Sequence, residues 1–283
     1  MTHKSDPVID NPASDLSVTL WGVHGSVPKP SLETSRFGCA TSCYEITNDV
    51  QSLICDAGTG LVGLGQKLVQ DNVKDIEIVF SHYHIDHVLG FPFFAPLYVP
   101  GMRVHVYASQ EILGRSPGKM MKRLFAQPFF PMGLDAIKAE LTCHDLSTRK
   151  TRLLCGATVE CLPLCHPGGN AALRVQWNGK TIIYSGDFAH GDAATDAKLK
   201  SWFDNADLGL VECTFTPETY DKGHSFGHTH WEAAGALAGA ARTWVGVHHH
   251  HLADDHDLAT VDARLRALHA NGQLGRDGQT IWL

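Results

Sequence analysis

The chain has no apolar run long enough to cross a bilayer. Its most apolar stretch, FPFFAPLYVP over residues 91–100, holds three prolines and cannot form a membrane helix. There is no C-x-x-C pair among the eight cysteines at 39, 43, 55, 143, 155, 161, 165 and 213. Several of them sit in apolar runs such as SLICDAG and VECLPLCHP, and they read as reduced, buried small hydrophobes of a cytosolic protein. There is also no dense basic block, and the net charge is −7. Arg115, Lys119, Lys122 and Arg123 stand at helical spacing and read as a solvated helix face, so nucleic acid is not an expected partner. Residues 1–15 lack the apolar core of a signal peptide and are expected to be a flexible tail, with the protein cytoplasmic and free of membrane contact. No solenoid repeat or low-complexity linker breaks the sequence.

What remains is an ordinary globular composition, 43% apolar and 19% charged over 283 residues. Strand signals fall into two sets. The first is 16–23, 43–47, 52–55 and 76–80; the second is 157–165, 172–177, 181–187, 208–213 and 243–247. Helix signals lie between them at 60–70, 112–126 (interrupted at Ser116-Pro117-Gly118), 194–206, 230–242 and 259–272. Each half thus supplies strands and outer helices. The expected fold is α+β, an αββα sandwich of two mixed sheets in one domain over 16–283. Residues 91–150, rich in Pro, Phe and Met, read as a lid-like helical insertion between the halves.

The segment SHYHIDHVLG, residues 81–90, packs His82, His84, Asp86 and His87 into six positions. Imidazole and carboxylate are ligands that divalent metals such as zinc take. The β-branched run IEIVF precedes the cluster and a short helical turn follows it. A strand ending in a tight loop sends two imidazoles one way and the Asp/His pair another, which suits two metals better than one. One loop cannot fill two coordination spheres. Further candidates follow other apolar β runs: His166 before the turn PGG, Asp187 in YSGDF, and the block His248, His249, His250 and His251 after TWVGV. Cys165 would point away from His166 if the segment is extended, and Ser26 and Ser185 read as turn or hydroxyl caps.

This order of motifs resembles the metallo-β-lactamase superfamily, and more closely its PhnP-type and RNase Z-type phosphodiesterase branch. WGVHGSVPKP (21–30), TSC (41–43), DAGTG (56–60), GFPFFAPLYVPG (90–101) and GHTHWE (227–232) carry the closer match. The resemblance implies that His82, His84 and His166 hold one divalent metal and that Asp86, His87 and one histidine of the 248–251 block hold the second. Asp187 would bridge them. Branch spacing selects His249 from the block, and extended alternation from Val245 and Val247 agrees in part. Asp56 would steady a ligand imidazole. Asp86 and His228 are the candidate catalytic residues, with His228, or else His224 or His230, as the acid that protonates the leaving group. The chain departs from the branch pattern at Ala40, His24 and His230, and His24 and His230 are the candidate substrate contacts. The implied activity is a dinuclear hydrolase, with zinc first and manganese or iron as alternatives. It would cleave a small phosphodiester, such as a cyclic nucleotide or cyclic sugar phosphate, by a metal-bridging hydroxide. A lactonase or thioesterase and a 3′ RNA-processing nuclease are the rival hydrolases, and the acidic chain without a basic arm ranks the nuclease lower. A di-iron redox protein would need a Glu at His84. A homodimer is left open.

Overall fold

The computed structural model describes residues 16–48, 50–221 and 225–283. The expected tail 1–15 and His224 lie outside them. Six strands open the chain's first half: β1 (Ser17–Gly22), β2 (Cys43–Thr47), β3 (Ser52–Cys55), β4 (Asp75–Val79), β5 (Arg103–Ala108) and β6 (Glu140–Asp145). The second half adds β7 (Thr151–Arg152), β8 (Thr158–Leu164), β9 (Asn170–Trp177), β10 (Lys180–Tyr184), β11 (Leu208–Glu212), β12 (Thr243–Val247), β13 (Gly272–Leu274) and β14 (Gln279–Trp282). They form two seven-stranded sheets, β14-β1-β2-β3-β4-β5-β6 and β13-β12-β11-β10-β9-β8-β7. Each sheet is antiparallel at one end and parallel at the other. The expected αββα sandwich of mixed sheets is what forms.

The layers follow from where apolar side chains are buried. Between the sheets lie Val18, Leu20, Tyr44 and Leu53 against Val159, Leu173, Ile182 and Val245. On the outer face of the first sheet, α1 (Gly60–Gln70) buries Leu61, Leu64 and Leu68 at helical spacing over Ile76 and Ile78. On the outer face of the second, α5 (Ala193–Phe203), α6 (Trp231–Ala238) and α7 (Asp255–Leu268) cover Ile183, Val211 and Trp244. Strands β4 and β11 are buried on both faces, which is why each reads as a continuous apolar run. Burying each large apolar side chain contributes about 1.5–3 kcal/mol. Among the described residues, no helix is long and apolar enough to cross a membrane.

The reading of 91–150 as an insertion is corrected in part. Its strands β5 and β6 extend the first sheet in parallel from β4. Polar residues such as His105, Thr142 and His144 break up their apolar pattern and hide them from a periodicity reading. The stretch between them is helical, with α3 (Gln110–Leu113), α4 (Pro117–Leu124) and short turns, and two 3-10 turns at Phe91–Phe93 and Ala95–Tyr98 precede β5. Met121, Phe125 and Phe130 pin that stretch to the outer core.

The parallel strands β3, β4, β10, β11 and β12 end at one edge of the sandwich, as does β8. The loops that leave these ends carry the candidate residues, on a rigid frame.

Candidate metal centre

Beyond β4 the chain stays extended through His82 and His84, then makes the single helical turn α2 (Ile85–Val88). His84 caps that turn, so Asp86 and His87 project from the helix while His82 and His84 project from extended backbone. His166 follows β8 and Asp187 follows β10. At Gly186 (φ +57) a side chain would sit 2.2 Å from Asn170 Oδ1, so the turn that aims Asp187 needs glycine.

Two donor clusters result, and they share one residue. His82, His84, His166 and Asp187 form one; Asp86, His87, His248 and Asp187 form the other, each with its ligand atoms within 4.8 Å of one another. Asp187 Oδ2 lies 3.5 Å from His82 Nε2, 3.3 Å from His87 Nε2, 3.9 Å from His166 Nε2 and 3.2 Å from His248 Nε2. His166 Nε2 is 2.9 Å from His84 Nδ1, and Asp86 Oδ2 is 3.1 Å from His248 Nε2.

The donors are oriented from behind. His87 Nδ1–H donates to Asp56 Oδ2 at 2.7 Å, and His82 Nδ1–H to Ser81 Oγ at 3.0 Å, whose own proton goes to Asp56 at 2.6 Å. His166 Nδ1–H donates to Gly227 O at 2.9 Å. His248 Nδ1–H donates to Thr214 Oγ1 at 3.0 Å, and Thr214 donates to Glu212 Oε2 at 2.7 Å. Four imidazoles thus spend Nδ1 outward and turn Nε2 inward toward the clusters, the outer-shell arrangement of metal-ligating histidines. Asp56, buried at φ +60, also accepts from Ser81 N at 2.7 Å and Tyr184 Oη at 2.6 Å.

These residues fit a metal pair. His82 Nε2, His87 Nε2 and Asp187 Oδ1 are buried without a hydrogen bond. An unmet buried polar atom costs about 1–3 kcal/mol, and these converge on one space. The mixed imidazole and carboxylate donors suit zinc, manganese or iron. The charges agree. Burial pushes the His82 imidazole well below its usual range, and burial pushes His166 down to about 4, so both stay neutral as ligands must be. At the other cluster burial acts against the charged forms but is outweighed. Asp187 and Asp86 raise His248 to about 10 and lift His87 well above its usual range, while His87 and His248 hold Asp86 well below the carboxylate range.

One expected ligand is corrected. His249 does not enter the cluster; His248 does. The alternation that selected His249 holds only to Val247, because His248 sits at φ +58 and ends the extended run. His249 Nε2–H donates to Gly275 O at 2.9 Å, and its backbone N–H donates to Val23 O at 2.8 Å. His250 and His251 stack on each other at 4.5 Å outside both clusters.

The substrate contact expected at His24 is corrected as well, while His230 lies outside both clusters. His24 is fully buried, bridged to Thr41 and His249, with its ring edge-on to His249 at 5.8 Å. It is a strut beneath the site that no substrate reaches. The same segment supports the cluster through its backbone. A side chain on Gly25 would meet the His248 ring at 2.2 Å, and Ser26 N–H donates to Asp86 Oδ2 at 2.7 Å. His230 caps α6 and packs against His190 at 4.9 Å and Tyr220 at 5.0 Å, apart from both clusters.

His228 is brought to the site. Its Nδ1 lies 3.8 Å from Asp187 Oδ2, and its ring stacks on His248 at 4.9 Å, with the side chain still 12% exposed. Nδ1 also lies 3.3 Å from Glu212 Oε1. Sequence reasoning missed Glu212. This fully buried carboxylate accepts from Phe188 N at 3.2 Å, Thr229 N at 2.9 Å and Thr214 N at 3.2 Å. Its signal was an acid closing the apolar run LGLVE, where a carboxylate is costly unless it is partnered.

Comparison with known proteins agrees with this fold. Residues 51–276 match the family model described as Beta-lactamase superfamily domain. No curated protein sequence matches the chain. Among solved structures, the metallo-beta-lactamase fold protein YhfI from Bacillus subtilis is similar at TM-score 0.71 and 20% identity, over 94% of this chain and 98% of that one. A diphosphatase from the PhnP family is similar at TM-score 0.68 and 19% identity, over 95% and 98%. The short form of human tRNase Z is similar at TM-score 0.64 and 18% identity, over 94% and 98%. With the family model spanning most of its length, the chain belongs to the beta-lactamase superfamily and has the metallo-β-lactamase fold.

Proposed function

We propose that the protein is a dinuclear metal-dependent hydrolase of small phosphodiesters, cyclic nucleotides or cyclic sugar phosphates among them. The observation that carries this reading is the pair of donor clusters joined at Asp187, in which the inward Nε2 atoms of His82 and His87 have no hydrogen-bond partner. His82, His84, His166 and Asp187 would hold one cation, and Asp86, His87, His248 and Asp187 the other. When bound, the two cations, zinc first and manganese or iron as alternatives, supply Lewis acidity that lowers the pKa of a water and offsets charge on phosphoryl oxygens.

The chain's own groups do the rest. Asp56, Ser81, Gly227 and Thr214 fix the rings, and Ser26 N–H fixes Asp86. His228 stands at the rim beside Asp187, where it can hold a proton for a departing oxygen. Glu212 orients that ring. A positioned proton donor is worth roughly 10²–10⁴-fold in rate. Similarity to a PhnP-family diphosphatase and to tRNase Z supports phosphorus over carbon as the electrophile. The net charge of −7 supports a small substrate over RNA.

The test is metal analysis of purified protein joined to a screen of bis-aryl phosphodiesters, cyclic nucleotides, lactones and thioesters. Two metals per chain and metal-dependent cleavage of the diesters are expected. Cleavage of lactones or thioesters alone would refute the phosphodiester assignment.

A further inference from the structure

The turn that carries His228 holds an aromatic ring in the open. Residues 225–228 read Ser-Phe-Gly-His, and His228 N–H donates to Ser225 O at 3.0 Å. The two central residues, Phe226 and Gly227, have φ +53 and +89. That is the mirror-image tight turn, which glycine or asparagine fills readily and a bulky aromatic does not. The turn is also clamped. Gly227 O accepts from His166 Nδ1–H at 2.9 Å, and a side chain on Gly227 would lie 2.2 Å from Pro167 and 2.8 Å from His166 Nδ1. Phe226 therefore stands on a fixed backbone one residue from the clamp on His166 and two from His228. Its side chain is 75% exposed. Neither burial nor backbone preference accounts for an aromatic there.

Phe226 has company. Val27 follows Ser26, whose N–H holds Asp86, and is 49% exposed; Ile85 lies between His84 and Asp86 and is 57% exposed. Leu252 follows the His248–His251 block and is 67% exposed, with its carbonyl accepting from Lys29 Nζ at 2.8 Å. Single exposed apolar residues are ordinary on a protein surface. Here they come from four separate segments, three loops and the first residue of α2, that each carry or brace a site residue. The donor clusters are polar, and exposed apolar side chains stand next to them in sequence.

We infer that Phe226 is a specificity residue whose ring stacks on a flat aromatic or heterocyclic ester arm of the phosphodiester, so that the site takes aryl or nucleotide-like diesters in preference to sugar diesters. This deepens the phosphodiesterase reading and rests on it for the placement of the phosphoryl group at the donor clusters. A base or aryl ring is covered on one face by the phenyl ring, as in sequence-tolerant stacking platforms. A sugar arm offers that ring no flat π face and would gain less.

The experiment compares phenylphosphonate with methylphosphonate. Their dissociation constants are measured by calorimetry on zinc-loaded wild type, Phe226→Asn and Phe226→Trp. Asparagine accepts the left-handed backbone, so the turn and the fold survive that change. The wild type should favour phenylphosphonate about 10-fold, within the roughly 5- to 150-fold range of one stacked ring. Phe226→Asn should erase the preference and leave methylphosphonate binding unchanged, and Phe226→Trp should keep the preference. Equal losses for both ligands, no binding of either, no preference in the wild type, or a preference retained in Phe226→Asn would each overturn the inference. Turnover is scored separately on bis(p-nitrophenyl) phosphate. A protein that cleaves no diester yet shows the phenyl preference refutes the phosphodiesterase reading and leaves the role of Phe226 standing.

Discussion

Adjacent histidines with opposite surroundings make a sharp test of the metal centre. His248 Nε2 lies 3.1 Å from Asp86 Oδ2 and 3.2 Å from Asp187 Oδ2. His249 Nε2 is spent on Gly275 O at 2.9 Å. His248→Ala removes one donor from the second cluster and leaves two buried carboxylates without that partner. Breaking a buried charged pair costs about 3–5 kcal/mol in metal-free protein. Metal content should fall from two equivalents toward one, and activity should be lost. His249→Ala leaves the Gly275 carbonyl unmet and a cavity behind, costing about 1–3 kcal/mol for the polar group. At roughly 2–4 °C per kcal/mol for a chain of this class, its melting temperature should drop by about 2–12 °C while two metals remain bound. Elemental analysis after dialysis, with thermal melts of metal-free and loaded protein, separates the two variants. If His249→Ala loses the metal and His248→Ala keeps it, the assignment of the ligand is refuted.

Asp187→Ala removes the carboxylate common to both clusters, so it should release at least one metal and abolish turnover; full rate with both metals bound would remove the bridging role. His228→Ala should slow diesters with alkoxide leaving groups about 10²–10⁴-fold and p-nitrophenyl esters far less, since an activated leaving group hardly needs a proton. Equal losses on both classes would point to binding. A pH effect is expected at His24. Burial, with His249 and His248 nearby, lowers its pKa to about 3, and neither ring nitrogen has a partner. The folded state therefore leaves His24 neutral down to about pH 3, while the unfolded chain takes up a proton below about 6.5. Stability falls as pH drops through that window, by up to ~1.4 kcal/mol per pH unit for one such group. His24→Leu should flatten the dependence of the urea midpoint on pH between 6.5 and 4 in metal-free protein, and an unchanged slope would show that His24 does not titrate in this way.

The chain by itself determined whatever depends on near neighbours. The cluster His82-x-His84-x-Asp86-His87 is readable because all four residues lie on one strand end and one helical turn. The helix over residues 60–70 was readable because Leu61, Leu64 and Leu68 repeat at helical spacing, and strands such as TIIY and LGLVE because both faces are buried. The tertiary structure decided what depends on a single backbone angle or on residues distant in sequence. A positive φ at His248 turns one imidazole in and leaves the next facing Gly275, and no alternation rule foresees it. Burial of His24 depends on bridges to Thr41 and His249, and the place of Glu212 depends on donors at 188, 214 and 229. Strands β5 and β6 escaped notice because their histidines and threonine dilute the apolar pattern; their place was set by pairing in parallel beside β4. Local spacing fixes which atoms can bind a metal. Which of them face the same space is settled only when strand ends far apart in the chain are brought to one edge of the sandwich, where an unpartnered buried donor is too costly to be left to chance.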